Sequence, residues 1–196
     1  MAPNPRISVI CLCTLAIGVP LAFIYWQYIR RWRLRKMAIF VFQCLNDTGM
    51  PYWVDFGTLL GIHREGDIIL GDNDVDVCIL DPKEESLHDL GHRVHKAGYI
   101  FRYRVFANIS RVYDRWWPWG FVDLYHVRRS QDGSVYHGAT GVTSDIPVHL
   151  IDCTQTHHWH RGGVDVVVPA DVHGVLEWRY GDDYMTPKPG FKGRNS

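Results

Sequence analysis

Residues 52–80 read YWVDFGTLLGIHREGDIILGDNDVDVCIL. The stretch changes character three times. YWVDF (52–56) is aromatic and β-branched and predicts a short strand. GTLLGIHREG (57–66) opens on Gly57-Thr58 and predicts a short helix. GDNDVDVCIL (71–80) sets Asp72, Asp74 and Asp76 in alternation and then turns apolar, which predicts a buried strand over 75–80. Side chains two apart in a strand share a face, so Asp74 and Asp76 project together if the strand starts near Asp74. Carboxylates that close repel, and one stays protonated unless a cation sits between them. Mg²⁺ (or Mn²⁺) suits this pattern, because it takes one or two carboxylates and completes its shell with water and substrate phosphates. Asp123, inside the apolar run GFVDLYHV (120–127), is the expected third carboxylate, since an acid within such a strand needs a reason.

The Gly57-Thr58 turn adds a second chemistry. Free N–H groups at a helix start bind phosphate, glycine permits close backbone approach, and Thr58 brings a hydroxyl. Arg64 follows on the same helix as a phosphate partner. A lone D-x-D is commonly a surface turn, and a lone Gly-Thr says less. Together, with a buried strand after them and another acid-bearing strand later, they predict a site that holds a nucleotide phosphate against a metal. Catalysis there would rest on positioning and charge neutralisation.

The remaining chain fits one α/β domain with mixed strand directions. Helices are expected over 33–48, 82–98 and 170–180, and strands over 99–105, 108–114 and 120–127. A hairpin is expected over 159–169, turning at Arg-Gly-Gly. Lys plus Arg equals Asp plus Glu at 21 each, which argues against a duplex nucleic-acid binder, and none is expected as a partner. The five cysteines include no CxxC pair and predict neither a disulfide framework nor a zinc cage. His157, His158 and His160, with His149, are read as a solvated strand end rather than a metal site. RWWPWGF (115–121) is read as a loop packed on the core in preference to a sugar-stacking platform. For Arg102, Arg104 and Arg111, donor phosphates and solvent both stay open as partners.

Ahead of the domain, residues 7–29 (ISVICLCTLAIGVPLAFIYWQYI) contain no charge. A helix of that length reaches roughly 35 Å, enough for a bilayer core. Tyr25, Trp26 and Tyr28 gather at one end, as in an interfacial belt. The expected organisation is a tail over 1–6, a transmembrane anchor over 7–29, a basic juxtamembrane segment over 30–36 (RRWRLRK), the domain over 37–190 and a tail over 191–196.

The residues then show a kinship. YWVDFGTLLGIHREGDIILGDNDVDV resembles the signature of the LicD/fukutin family through Trp53, Gly57, Thr58, Leu59, Leu60, Gly61, Arg64, Gly66, Asp67, Asp72, Asp74 and Asp76. FVDLYHV is similar to the family's later hydrophobic-Asp strand, carried by Asp123. VVVPADVHGVLEWRYGDDYMTP is similar to its C-terminal segment through Pro169, Leu176, Glu177, Tyr180, Gly181 and Pro187. Leu70 and Gly71 depart from the family's usual Pro and aromatic. The resemblance covers roughly residues 37–190. It implies a nucleotidyltransferase-like mixed sheet flanked by helices, and transfer of phosphocholine or ribitol phosphate from a CDP-linked donor to a glycan hydroxyl. Asp74 and Asp76 would hold Mg²⁺, with Asp72 or Asp123 assisting. It also implies a Golgi or ER membrane protein with a luminal body, whereas the positive-inside rule applied to residues 30–36 points to the cytosol; the lumen is the expectation adopted. A catalytically inactive scaffold and a true nucleotidyltransferase are the rival functions.

Overall fold

The computed structural model describes residues 5–104, 108–137, 145–152 and 154–188, with the side chains of 5–15, 104, 118 and 137 excepted. Helix α1 (Pro5–Thr48) leads into β1 (Tyr52–Val54), α2 (Phe56–Glu65), β2 (Asp74–Leu80), α3 (Glu84–Lys96), β3 (Tyr99–Arg104), β4 (Ile109–Asp114) and β5 (Trp117–Arg129). Short strands β6 (Val135–His137) and β7 (Ile146–Pro147), helix α4 (Val148–Ile151), the hairpin β8 (Thr154–Trp159)–β9 (Val164–Pro169) and helix α5 (Val172–Tyr180) complete it. The main sheet runs β1-β2-β5-β4-β3, with β6 beside the far end of β5 and β7 beyond β6. The β2–β5 pair is parallel, and its neighbours β1–β2, β4–β5 and β3–β4 are antiparallel. The fold is therefore mixed α/β, as the sequence predicts.

Strand alternation divides the sheet's two faces. On β5, Gly120 lies against Leu34 of α1, so Val122 and Leu124 face α1. Tyr125 meets Phe56 of α2 at 5.4 Å between ring centroids, so Asp123 and Tyr125 face α2. Val75, Val77 and Ile79 are fully buried under α1 and α3, and the alternate residues Asp74, Asp76 and Cys78 look toward α2 and α5. The acidic site thus lies on the α2 side of the two central strands.

The first helix departs from expectation. Residues 30–36 continue α1 without a break and lie on the domain. Arg35 makes a two-pronged pair with the buried Asp67, its Nε donating at 3.0 Å, and Arg31 Nε adds a 3.6 Å contact. Arg33 reaches Asp114 at 3.4 Å, and Arg30 donates to the Gly71 carbonyl. The core already includes Leu34. The basic run is therefore an internal docking surface, and the domain begins before residue 37. Among the described residues no helix is long and apolar enough to cross a membrane, so the structure does not support the anchor expected over 7–29. Part of that stretch, the side chains of 7–15, lies outside those described.

Arg179 of α5 and Asp55, the residue that caps α2, are 1% and 0% exposed. Arg179 donates to both carboxylate oxygens, at 3.0 and 2.7 Å. Asp55 also accepts from the Phe56 N–H at 2.7 Å and the Trp53 indole at 3.1 Å. Removing one partner strands a buried charge, at a cost of about 3–5 kcal/mol. Arg179→Met is therefore expected to lower the urea-unfolding free energy by that order. Asp55→Asn/Arg179→Met is expected to recover a substantial part, since it removes both charges.

Candidate active site

Asp76 on β2 and Asp123 on β5 are register partners of a parallel pair, so their side chains stand side by side. Asp74 lies one pleat back, opposite Phe121. Asp72 precedes the strand. A Cβ placed on Gly57 would come within 3.3 Å of an Asp72 carboxylate oxygen and 4.0 Å of one from Asp76, so the first turn of α2 lies directly against the acids. The fold thereby brings Gly57, Asp72 and Asp76 to one place, with Asp74 and Asp123 beside them. Asp76 is 8% exposed and Asp123 2%.

Thr58 has a different place from the one its sequence suggests. Its hydroxyl is buried and accepts the Asp76 N–H at 2.8 Å, which fixes α2 to β2. Arg64 lies on α2 beside the C-terminal segment, donating to Glu65 at 2.8 Å and reaching the Tyr184 carbonyl at 3.5 Å. Its buried Nε has no hydrogen-bond partner among the described residues, and the same holds for Arg30 Nε. Both guanidinium groups lie close enough to pull the Asp72 carboxyl toward ionisation. Sequence reasoning missed Arg30, because it assigned the basic run to a membrane flank.

Arg111 also falls outside both expected readings. On β4 it is the register partner of Asp123 and grips both of its oxygens, with Nη2–Oδ2 at 2.5 Å. Its guanidinium lies 3.9 Å from the Phe121 ring centroid. Arg102 stands over Tyr113 at 5.9 Å, and the side chain of Arg104 lies outside the described residues. Tyr125, likewise not foreseen, donates its hydroxyl to Asp76 at 3.3 Å.

Burial and crowding dominate the electrostatics. Burial pushes the Asp72 carboxyl up to about 6, with Asp74 and Glu65 adding and Arg30 and Arg64 opposing. Burial holds Asp76 well above the ordinary carboxylate range, with Asp74 and Asp123 adding, and the Tyr125 hydrogen bond offsets part of it. Burial also raises the Tyr180 phenol, with Asp76 and Asp55 adding. This is the environment a cation relieves. Asp74 and Asp76 suit a divalent ion in the two-carboxylate mode. Asp123 stands beside Asp76 with both of its oxygens in contact with Arg111. Among the described residues no group of three or more His, Cys, Asp or Glu is arranged to hold a metal. His158 pairs with Asp165 at 2.7 Å on the exposed hairpin.

Comparison with known proteins places the chain. Residues 49–171 match the model of the LicD/FKTN/FKRP nucleotidyltransferase domain, and the chain belongs to that family. It is 34% identical over 84 residues to the ribitol 5-phosphate transferase FKRP of mouse and of human, a match covering 40% of this chain and 17% of the relative. It is 24% identical over 173 residues to the uncharacterized protein RP689 of Rickettsia prowazekii, covering 79% of this chain and 62% of that one. The chain thus spans less than two thirds of the curated relatives it matches. Among solved structures, the lincomycin-bound lincosamide antibiotic adenylyltransferase LnuA shares 10% identity with a TM-score of 0.44, over 69% of this chain and 79% of that one.

The raised carboxyls make a stability prediction. Folding tightens proton binding at Asp72, so its protonation contributes stability fully below the ordinary value of 3.8, and that contribution is lost as pH rises through about 6. In EDTA, lowering the pH from 7 to 5 therefore offsets part of any acid destabilisation. At pH 7, Asp72→Asn/Asp76→Asn is expected to raise the melting temperature, by about 2–4 °C for each ~1 kcal/mol of repulsion removed, and to flatten that pH response. Calorimetric melts from pH 5 to 8 check both.

Proposed function

We propose that the chain is a metal-dependent phosphotransferase that moves a phospho-alcohol group, of the phosphocholine or ribitol phosphate type, from a CDP-linked donor to a glycan hydroxyl. The observation that carries this reading is the pairing of opposites at one place. Asp72, Asp74 and Asp76 crowd the start of α2, and Arg30 and Arg64 flank them, each with a buried Nε that has no partner among the described residues. Buried donors without acceptors suit phosphate oxygens, and crowded acids suit the cation that accompanies them.

In this reading Asp74 and Asp76 hold Mg²⁺ or Mn²⁺, which when bound supplies charge neutralisation for the donor pyrophosphate. Thr58 and Tyr125 keep Asp76 in place. Arg30 and Arg64 bind phosphate oxygens and orient the donor along the Gly57 turn. Arg111 holds Asp123 in a fixed position beside Asp76. The acceptor hydroxyl oxygen bonds to the phosphorus bearing the alcohol, the bond from that phosphorus to the CMP oxygen breaks, and CMP leaves with the electron pair. The hydroxyl proton passes to a carboxylate of the cluster. We also propose a membrane-held body in the Golgi or ER lumen; ten consecutive exposed and uncharged residues of α1, 16–25, support membrane contact.

One observation favours a second reading. Arg111 neutralises Asp123, as it would in an accessory subunit that has given up catalysis while keeping the fold. Calorimetric titration of the full chain with CDP, CDP-choline and CDP-ribitol, in Mg²⁺ and in EDTA, separates the two. The transferase reading expects Mg²⁺-dependent binding, at least tenfold weaker in Asp74→Asn/Asp76→Asn, and CMP release when a glycan acceptor is added. Pyrophosphate release from a nucleoside triphosphate would instead mark a nucleotidyltransferase. Absence of nucleotide binding in every condition would establish the accessory role.

A further inference from the structure

Away from the site, the tip of the β4–β5 hairpin carries aromatic surface that the fold does not use. Asp114 and Trp117 close the turn as register partners, and the Trp116 N–H donates to Asp114 at 2.9 Å. Trp116 is 83% exposed and Trp119 59%. The turn is held against α1 rather than left loose. Trp26 lies 4.5 Å from Trp117 and 6.2 Å from Trp119 between ring centroids, and Arg33 caps the Trp117 ring at 4.9 Å. Tyr25, Tyr28 and Trp32 of α1 are exposed at the same level.

What covers this surface follows from the helix beside it. Residues 16–25 of α1 are exposed at every position and uncharged, so the apolar surface runs around the whole helix. A helix apolar on all sides is covered either by the core of a larger protein or by lipid, and the residues at its base favour lipid. Rings of Trp and Tyr with a neighbouring Arg, here Arg115 in the turn, are the composition of the layer between acyl chains and headgroups.

We infer that the β4–β5 hairpin tip is a second membrane contact, with Trp116 and Trp119 resting in the headgroup layer of a phospholipid bilayer beside α1. Two contacts fix the tilt of the domain, where a single helix would leave it free to turn. Phe121, opposite Asp74, is four residues along β5 from Trp117, roughly 13 Å at strand rise. The acidic cluster is thereby held close above the headgroups, where an acceptor attached to a lipid would present its hydroxyl.

The test uses the full chain in phosphatidylcholine vesicles whose acyl chains are brominated near the headgroup end, and reads quenching of tryptophan fluorescence. Trp53 and Trp159 are buried in the core and contribute little. Trp116→Phe/Trp119→Phe is expected to lower the quenched amplitude, because it removes the two exposed rings of the hairpin tip while Trp26, Trp32 and Trp117 remain. Circular dichroism and melting establish that the variant is folded. If loss of the Trp119 contact with Trp26 disturbs it, Trp116→Phe alone decides, with a smaller drop expected. Unchanged quenching in a folded variant overturns the proposal, as does failure of the chain to enter the vesicles. A protein partner or a second copy on the hairpin tip would give the first of those results. The measurement reads no activity, so a failed transferase reading leaves it unmoved.

Discussion

The buried pair of Asp55 and Arg179 is the constraint on which the rest of the structure depends. One carboxylate ends β1, caps α2 and receives α5. Its own N–H donates to the Asp76 carbonyl at 3.3 Å, and its carbonyl accepts the first helical bond of α2 from Leu59 at 3.1 Å. Phe56, the next residue, stands at φ 51°, in the left-handed region that bulky residues avoid. The guanidinium of Arg179 lies 3.9 Å from its ring centroid and Tyr125 packs beside it, so packing holds the strained residue in place. Gly57 and Thr58 come immediately after. A shift of Asp55 would carry the helix start away from the acids, and Thr58 would lose the Asp76 N–H. A hydrophobic substitute for this pair is conceivable on stability grounds alone. It would not fix the direction of a helix start to within a hydrogen bond.

The site itself works against folding. Asp72, Asp74 and Asp76 crowd one another, burial raises Asp72 and Asp76, and the flanking Arg30 and Arg64 each hold an Nε without a partner among the described residues. Each is a cost the core must offset. They are opposite in sign and adjacent. Such local conflicts are where a binding site departs from the rules the scaffold obeys.

Much of this was legible in the sequence, and the gaps have physical reasons. The alternation of Asp74, Val75, Asp76 and Val77 gave the strand and its acidic face, because period-two patterning depends only on local geometry. Gly57-Thr58 marked the helix start. The pairing of Asp76 with Asp123 was not readable as register, since a parallel crossover leaves no local signal for it. Arg111 was left open for the same reason: its partner is set by an antiparallel pairing that only the folded sheet defines. Arg30, Arg31, Arg33 and Arg35 were read as a membrane flank because a basic run after an apolar helix carries that composition. Their partners, Asp67, Asp114 and the Gly71 carbonyl, lie far along the chain. Neither Asp55 nor its partner Arg179 was singled out from the sequence, because they lie far apart in the chain. Only burial joins them.

Those long-range pairs resolve into one row across the sheet. Arg111 on β4 faces Asp123 on β5, and Asp123 faces Asp76 on β2. The backbone of Asp55 meets that of Asp76, and Asp55 meets Arg179. Read across, the row is a cation, three carboxylates and a cation. Each outer carboxylate has its own arginine. The middle one, Asp76, is met by a tyrosine hydroxyl, and its charge is the one the surroundings disfavour. Ion pairs at both ends hold the outer acids in place, and both acids add to the burial that disfavours charge on Asp76. A row built this way directs its unspent negative charge to a single position. That position lies beside Gly57, where α2 leaves the backbone open, and it is where the fold is best prepared to receive positive charge.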